Sequence, residues 1–376
     1  MSANNRNRLK TTVSAVASSG LGAFTISTAS SGYRSFVAGD DGLTFDGVLI
    51  TEGAAWEVRD GCVYTHSGTS LSRGTLMDSS TGSAIAFTSA AVVSQGGAKM
   101  FADMALLAMA STIPGGRLTL QSGVPVSTTD QTAKTSIYYT PFVNNVVPLW
   151  DGYKWRPIEF SETTLALGTL TSGKPYDVFG YISGGALALE SLVWTDDTTR
   201  ATAVTLQDGR YCKSGDKTRL LLGTFYTTST TTTEDSAANR YVANVYNKEV
   251  RKLNYATGDA GHTYNSATVR SYNNSTSNRV NFVAALSTSA YATIGGIIIA
   301  AVAGSTGDIF AGVDSTTTQS TEFSGCSNGN TQAVRGALGG TTTVAAGKHF
   351  IQILERGNAT NAPTYAFAVL AGGMLC

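Results

Sequence analysis

Three histidines, four cysteines and three pairs of adjacent carboxylates are the residues of this 376-residue chain best suited to catalysis or metal binding. His66, His262 and His349 stand far apart, and none falls in an HExxH or other metal-ligand spacing. A lone histidine in this composition reads as a polar surface or turn residue. The pairs Asp40-Asp41, Asp196-Asp197 and Glu234-Asp235 are sequence neighbours. Glycoside hydrolysis needs two carboxyls facing one sugar bond across a cleft, whereas neighbours on a strand point to opposite faces. These pairs therefore read as turn and solvated-loop residues. Neither a phosphate-binding loop nor a nucleophile elbow is expected. The reading is of a protein that is not an enzyme, with no metal and no cofactor.

Cys62, Cys212, Cys326 and Cys376 are widely separated, without a CxxC or a nearby histidine pair, which argues against zinc. One reading is four reduced thiols, some buried as small hydrophobes. The other singles out Cys376: chain ends are usually exposed, so Cys376, with Cys326, is a candidate for an intermolecular disulfide.

Formal net charge is zero and charged residues are 14% of the chain, against 42% hydrophobic. A balanced chain has no electrostatic case for nucleic acid or an anionic membrane. Lys248, Arg251 and Lys252 form the densest basic cluster, too small for a nucleic-acid footprint. The most apolar run, residues 294–304, is about half the length of a spanning helix and reads as a fully buried strand or strand pair. MSANNRNRLKTT carries no apolar stretch after its basic residues, so synthesis in a cytoplasm without a secretory signal is expected.

The elements that would position these residues are strands. Thr, rich here, fits pleated surfaces, and 41 Gly with only 7 Pro suit a turn-dense β protein. Asp41-Gly42, Asp46-Gly47, Asp60-Gly61 and Ser67-Gly68 punctuate the first hundred residues at antiparallel spacing. Further on, Asp151-Gly152 and Asp208-Gly209 mark hairpin turns. Trp150, Trp155 and Trp194 fall on strands and read as core or sheet-face packing. The alternative, a platform for stacking sugars, needs one of them exposed. The threonine run at residues 227–233 reads as a flexible loop or an edge strand. One helix is expected, at residues 98–110, with Met100, Met104 and Leu107 on one stripe. It packs either on its own domain or against copies of itself about a three-fold axis.

The wording adds a second signal. FVAGDDGLTFDGVLITEGAAWEVRDGCVYTHSGTSLSRGT, with Trp56-Glu57-Val58, Tyr64 and the loop from Gly68 to Arg73 at its core, resembles an N-terminal module of phage virion proteins. YYTPFVNNVVPLWDGYKW, LGTLTSGKPYDVFGY and LVWTDDTTRATAVTLQDGRY resemble a module of tail-fibre, neck-fibre and other appendage proteins of tailed bacteriophages. In that motif Asp196-Asp197-Thr198-Thr199-Arg200 is a polar turn after a buried Trp194. The resemblance covers residues 8–253.

The expected fold is mainly β: tandem antiparallel β-barrel or β-sandwich domains, one short linker helix and a C-terminal jelly-roll-like domain. The expected boundaries are 1–95 for an N-terminal domain docking on other virion proteins, 96–115 for the helical linker, 116–253 for a central domain, and 254–376 for a distal, receptor-facing sandwich. The resemblance implies a structural virion protein, assembled in the host cytoplasm as a homotrimer. Its role is a tail fibre or receptor-binding appendage touching host polysaccharide, or alternatively a neck, collar or head fibre. A glycan depolymerase is a remote third reading, because the coil period of a β-helix is missing.

Overall fold

The computed structural model describes residues 9–95, 113–258, 260–300, 305–323, 326–328 and 333–376. The expected linker helix, with Met100, Met104 and Leu107, lies outside the described residues. Within them the chain is all-β, with several antiparallel sheets, one curled into a half-barrel. The three helical segments, Ser18–Gly20, Ala38–Asp40 and Tyr272–Asn274, are 3-10 turns of 3 residues each. No described helix is long and apolar enough to cross a membrane.

The chain forms two compact units, Met1–Ser111 and Thr112–Cys376. The first is built on a nine-stranded sheet whose centre is the run Phe24–Ala29, Leu9–Val16, Val92–Gln95, Val48–Glu52 and Ala55–Asp60. Period-2 alternation makes these strands: along Leu9–Val16, Leu9, Thr11 and Val13 are buried while the residues between them are not. Leu9, Phe24, Ile50, Tyr64 and Val93 fill the core behind them. Gly53, at φ +60°, opens the two-residue turn between Val48–Glu52 and Ala55–Asp60, a conformation that side-chain-bearing residues rarely adopt.

The second unit corrects the expected division at 253/254. An eight-stranded sheet takes Gln131–Lys134, Thr233–Asp235 and Asn239–Arg240 from the central segment and Arg279–Ala284, Gly347–Gly357 and Gly307–Val313 from the C-terminal one. Val250–Ala256 runs through the expected boundary and pairs residue by residue with Thr364–Leu375. Turn signals report local hairpins and are silent on such long-range pairing. A five-stranded sheet containing Thr288–Ile299 and Thr364–Leu375 shares one core with the eight-stranded sheet. Ile294, Ile298 and Leu370 come from the former, and Phe282, Ile309 and Ile351 from the latter. A separate core holds Leu118, Ile137, Val178, Leu220 and Phe225.

The expected Asp-Gly turns form. Asp208 and Gly209, at φ +50° and +79°, join Val204–Gln207 to Arg210–Lys213 as a two-residue hairpin. Asp151 accepts the Tyr153 and Lys154 amides at 2.8 and 2.7 Å, closing the hairpin of Val146–Trp150 with Trp155–Glu159.

Candidate functional site

The residues singled out for chemistry are dispersed through the fold. The pair positions Asp40 and Asp235, expected in solvated loops, are buried ion-pair members. Asp40, fully buried, meets Arg34 at 3.1 Å and accepts the Val37 amide at 3.0 Å. Asp235 lies 3.3 Å from Arg240 and 3.1 Å from Arg251. Asp196 is exposed and accepts the Thr198 and Thr199 amides at 2.8 Å, the polar turn expected after Trp194, which is 2% exposed.

The histidines divide. His66 is exposed, as expected. His349 is buried, 2.7 Å from Asp314 through Nδ1. His262 is half-buried, 2.5 Å from the fully buried Glu355 and stacked on Tyr365. The other Glu355 oxygen takes Arg270 at 2.7 Å and the Asn273 amide at 3.2 Å. Glu355 therefore ties three segments together, a role invisible in sequence because its partners lie 82 to 93 residues away.

Residues 325–329, GCSNG, do spell the letters of a nucleophile elbow. That motif needs its serine on a strand-to-helix turn. Ser327 instead lies inside the strand Cys326–Asn328, paired with Asp308. Among the described residues, no group of three or more His, Cys, Asp or Glu is placed to hold a metal ion.

Cys376 is not exposed. It is 2% accessible, its backbone pairs with Glu249, and its carbonyl accepts Arg117 at 3.1 Å. Burial pushes its thiol up to about 12. The exposed-thiol premise for cross-linking through Cys376 is thereby corrected. Cys62 and Cys212 are also buried.

The aromatic strands behave as packing. Trp155 is 8% exposed, donates Nε1 to Asp208 at 2.9 Å and meets Trp150 edge-on at 5.5 Å. Thr227 and Thr233 are fully buried and bridge the base of their loop, and Thr228 bonds Thr232 at 3.0 Å. This threonine run is a stitched loop whose end hydroxyls have internal partners.

The residues that carry the resemblance converge on two charge locks. Glu57, fully buried, accepts Arg59 Nε and Arg73 Nη2, each at 2.8 Å, and the Ile85 amide. Arg73 also donates to the carbonyl of Gly20 at 2.5 Å and lies against the rings of Phe24 and Phe87. In the second unit Arg200 lies 4.3 Å from the Trp194 ring centroid and grips Asp177 at 2.7 and 3.1 Å. Asp177, 1% exposed, also accepts Thr224 at 2.7 Å, and Arg200 reaches the carbonyl of Ala285.

One groove of about 350 Å³ opens beside Gly116–Thr119, lined by Gln121, Ser122, Lys134, Ser136 and Tyr138. Glu162 borders it, accepting Ser122 at 2.5 Å, Gly123 N and Thr140 at 2.6 Å. Burial works to raise this carboxyl, but the three donors outweigh it and hold Glu162 below its ordinary value. The lining therefore offers an ammonium, hydroxyls, an amide and one aromatic ring beside an ionised carboxylate. Sequence reasoning missed this groove: its lining comes from the bend after Gly116–Thr119 and from the consecutive strands Gln131–Lys134 and Ser136–Pro141, and no motif marks the space they enclose.

No known family model matches the chain, and no curated protein matches it. Among solved structures, dimeric latent PorU from Porphyromonas gingivalis aligns at 10% identity and TM-score 0.24, over 55% of this chain and 24% of that one. The Cry4Aa toxin of Bacillus thuringiensis aligns at 7% and 0.20, over 65% and 51%. The infectious bursal virus derived T=1 particle aligns at 10% and 0.13, over 70% and 74%. The chain thus spans about a quarter of PorU and half of the toxin, and at these scores the likenesses carry no argument about function.

Proposed function

We propose that this chain is a structural protein of a tailed-bacteriophage virion, a tail-fibre or receptor-binding appendage that contacts host surface glycan without cleaving it. One observation carries the reading. The motif residues Glu57, Arg73, Trp194 and Arg200 build scaffold: each is engaged in buried ion pairing or stacking. Motifs of this kind set the geometry of a rigid β framework, which is what an appendage requires. The groove at Lys134 and Tyr138 supplies the groups that meet a sugar, hydroxyl-bonding side chains with a ring to lie against. In this reading the N-terminal unit docks on other virion proteins and assembly takes place in the host cytoplasm.

The test passes host-cell polysaccharide over the immobilised full-length protein and analyses the eluate. Retention without oligosaccharide release, weakened by Tyr138→Ala, is expected. Released fragments would make the protein a depolymerase and overturn the non-enzymatic reading. Absence of retention would withdraw host contact and leave a neck, collar or head fibre.

A further inference from the structure

The apolar run at residue 294 does not form a fully buried strand. Thr288–Ile299 alternates, with Ala290, Ala292, Ile294 and Ile298 turned into the core and Tyr291, Ile297 and Ile299 turned away from it. Its neighbour Thr364–Leu375 does the same, leaving Phe367 at 38% and Leu375 at 43% exposed. These two strands are the centre of the sheet Val250–Ala256, Thr364–Leu375, Thr288–Ile299 and Ala333–Val344. Their sequences, TSAYATIGGIII and TYAFAVLAGGML, contain no charged residue. The exposed charges of this face, Lys252 and Arg335, lie on the two edge strands. Glycine and alanine occupy much of the rest of the outer face, including Gly295, Ala337, Gly339 and Ala371.

We infer that this outer sheet face is where a second copy of the chain packs. With no charge between its edges the face offers no ionic anchor to nucleic acid, and its exposed hydroxyls, on Ser289, Tyr291, Thr293, Thr341 and Thr343, gather at one end of two paired strands. The mostly small-residue face, uncharged between its edges, suits a second sheet of the same kind, because two sheets pack face to face about 10 Å apart when their side chains are short enough to interdigitate. Two copies of one twisted sheet have matching curvature. The size is also adequate. Three strands of 12 residues and one of 7, at about 3.3 Å per residue and about 4.8 Å between strands, give a footprint of roughly 700 Å². A stable interface buries about 800 Å² per partner. Lys252 and Arg335 then fall at the rim, where water solvates them and where edge charges discourage open-ended strand addition.

Ala371 and Thr293 face each other at the centre of this surface and are both exposed. Light scattering on full-length protein after gel filtration reads the state directly. Wild type is expected as a multiple of 39.1 kDa. Ala371→Lys places like charges opposite one another and is expected to weaken self-association by about tenfold or more, giving the single-chain mass with an unchanged circular dichroism spectrum. Leu206→Lys, on an exposed site of another sheet, is expected to leave the mass unchanged. A monomeric wild type at 50 µM (about the concentration a specific interface survives) would overturn the inference and point to a different virion protein as occupant. A folded Ala371→Lys that keeps the wild-type mass would also overturn it. Should the variant fail to fold, carbene footprinting of wild type decides. Tyr291 and Phe367 are expected to lose label as concentration rises, and constant labelling would refute the interface.

Discussion

Replacing Glu57 by glutamine removes one negative charge from a site where two guanidiniums depend on it. Arg59 and Arg73 are 6% and 8% exposed, and Glu57 is fully buried between them. Glutamine has nearly the same volume, so the change isolates charge from packing. Breaking a buried ion pair by removing one partner costs about 3–5 kcal/mol, because the other charge stays buried and unpaired. In a unit of about 100 residues each kcal/mol lowers Tm by roughly 4–8 °C, so the first unit is expected to melt at least about 12 °C earlier. The assay follows from the sequence: of the four tryptophans only Trp56 lies in Met1–Ser111. Fluorotryptophan-labelled protein followed by 19F NMR on heating resolves it from Trp150, Trp155 and Trp194. The Trp56 resonance is expected to shift its melt while the other three hold. A Trp56 melt within about 4 °C of wild type, one kcal/mol on the same scale, would refute the claim that Glu57 locks this unit.

The same resonance reads pH. Burial works to raise the Glu57 carboxyl, but Arg59, the Ile85 amide and Arg73 together outweigh it and hold it below 4.5. Its stabilisation is therefore complete above the unfolded value near 4.5 and lost as pH falls through the lower folded value. The Trp56 melting temperature should drop in that acid window in wild type, and the drop should be smaller in Glu57→Gln. Arg200→Ala leaves Asp177 buried with its Thr224 bond but no guanidinium. The Trp194 resonance is expected to melt about 6 °C or more earlier. Arg200→Lys should not restore it, since an ammonium lacks the planar fork that grips Asp177 and stacks on Trp194; full rescue by lysine would contradict this. Burial pushes Cys62 and Cys376 up to about 12 and Cys212 up to about 11. Iodoacetamide at pH 8 should leave all three unmodified until denaturant is added, as read by peptide mass mapping, and rapid labelling of Cys376 in native protein would contradict its burial.

How much of this was legible in sequence varies by residue, for physical reasons. Asp208-Gly209 announces a two-residue hairpin because both residues tolerate positive φ, and the hairpin is there. Gly53 marks its turn on the same ground. The buried Trp194 followed by a polar turn was also readable, since Asp196 needs only amides two and three residues on. The burial of Asp235, His349 and Glu355 was not, because each depends on partners brought in by strand pairing. Arg251, Asp314 and His262 lie 16, 35 and 93 residues away, respectively. The outer face at Ala371 shares that limit. A hydrophobic run such as TIGGIII reports that a strand is apolar, and only the neighbouring strands decide which of its faces meets a core.

The central claim is that this β framework is a virion part that faces outward. The most direct measurement is imaging of intact virions, from the phage proposed to carry the chain, labelled with an antibody against residues 254–376. The account predicts label on particles, at the tail tip or baseplate. Label at the neck or over the head would retain the structural role and contradict host contact. Particles without label anywhere would contradict the virion assignment itself.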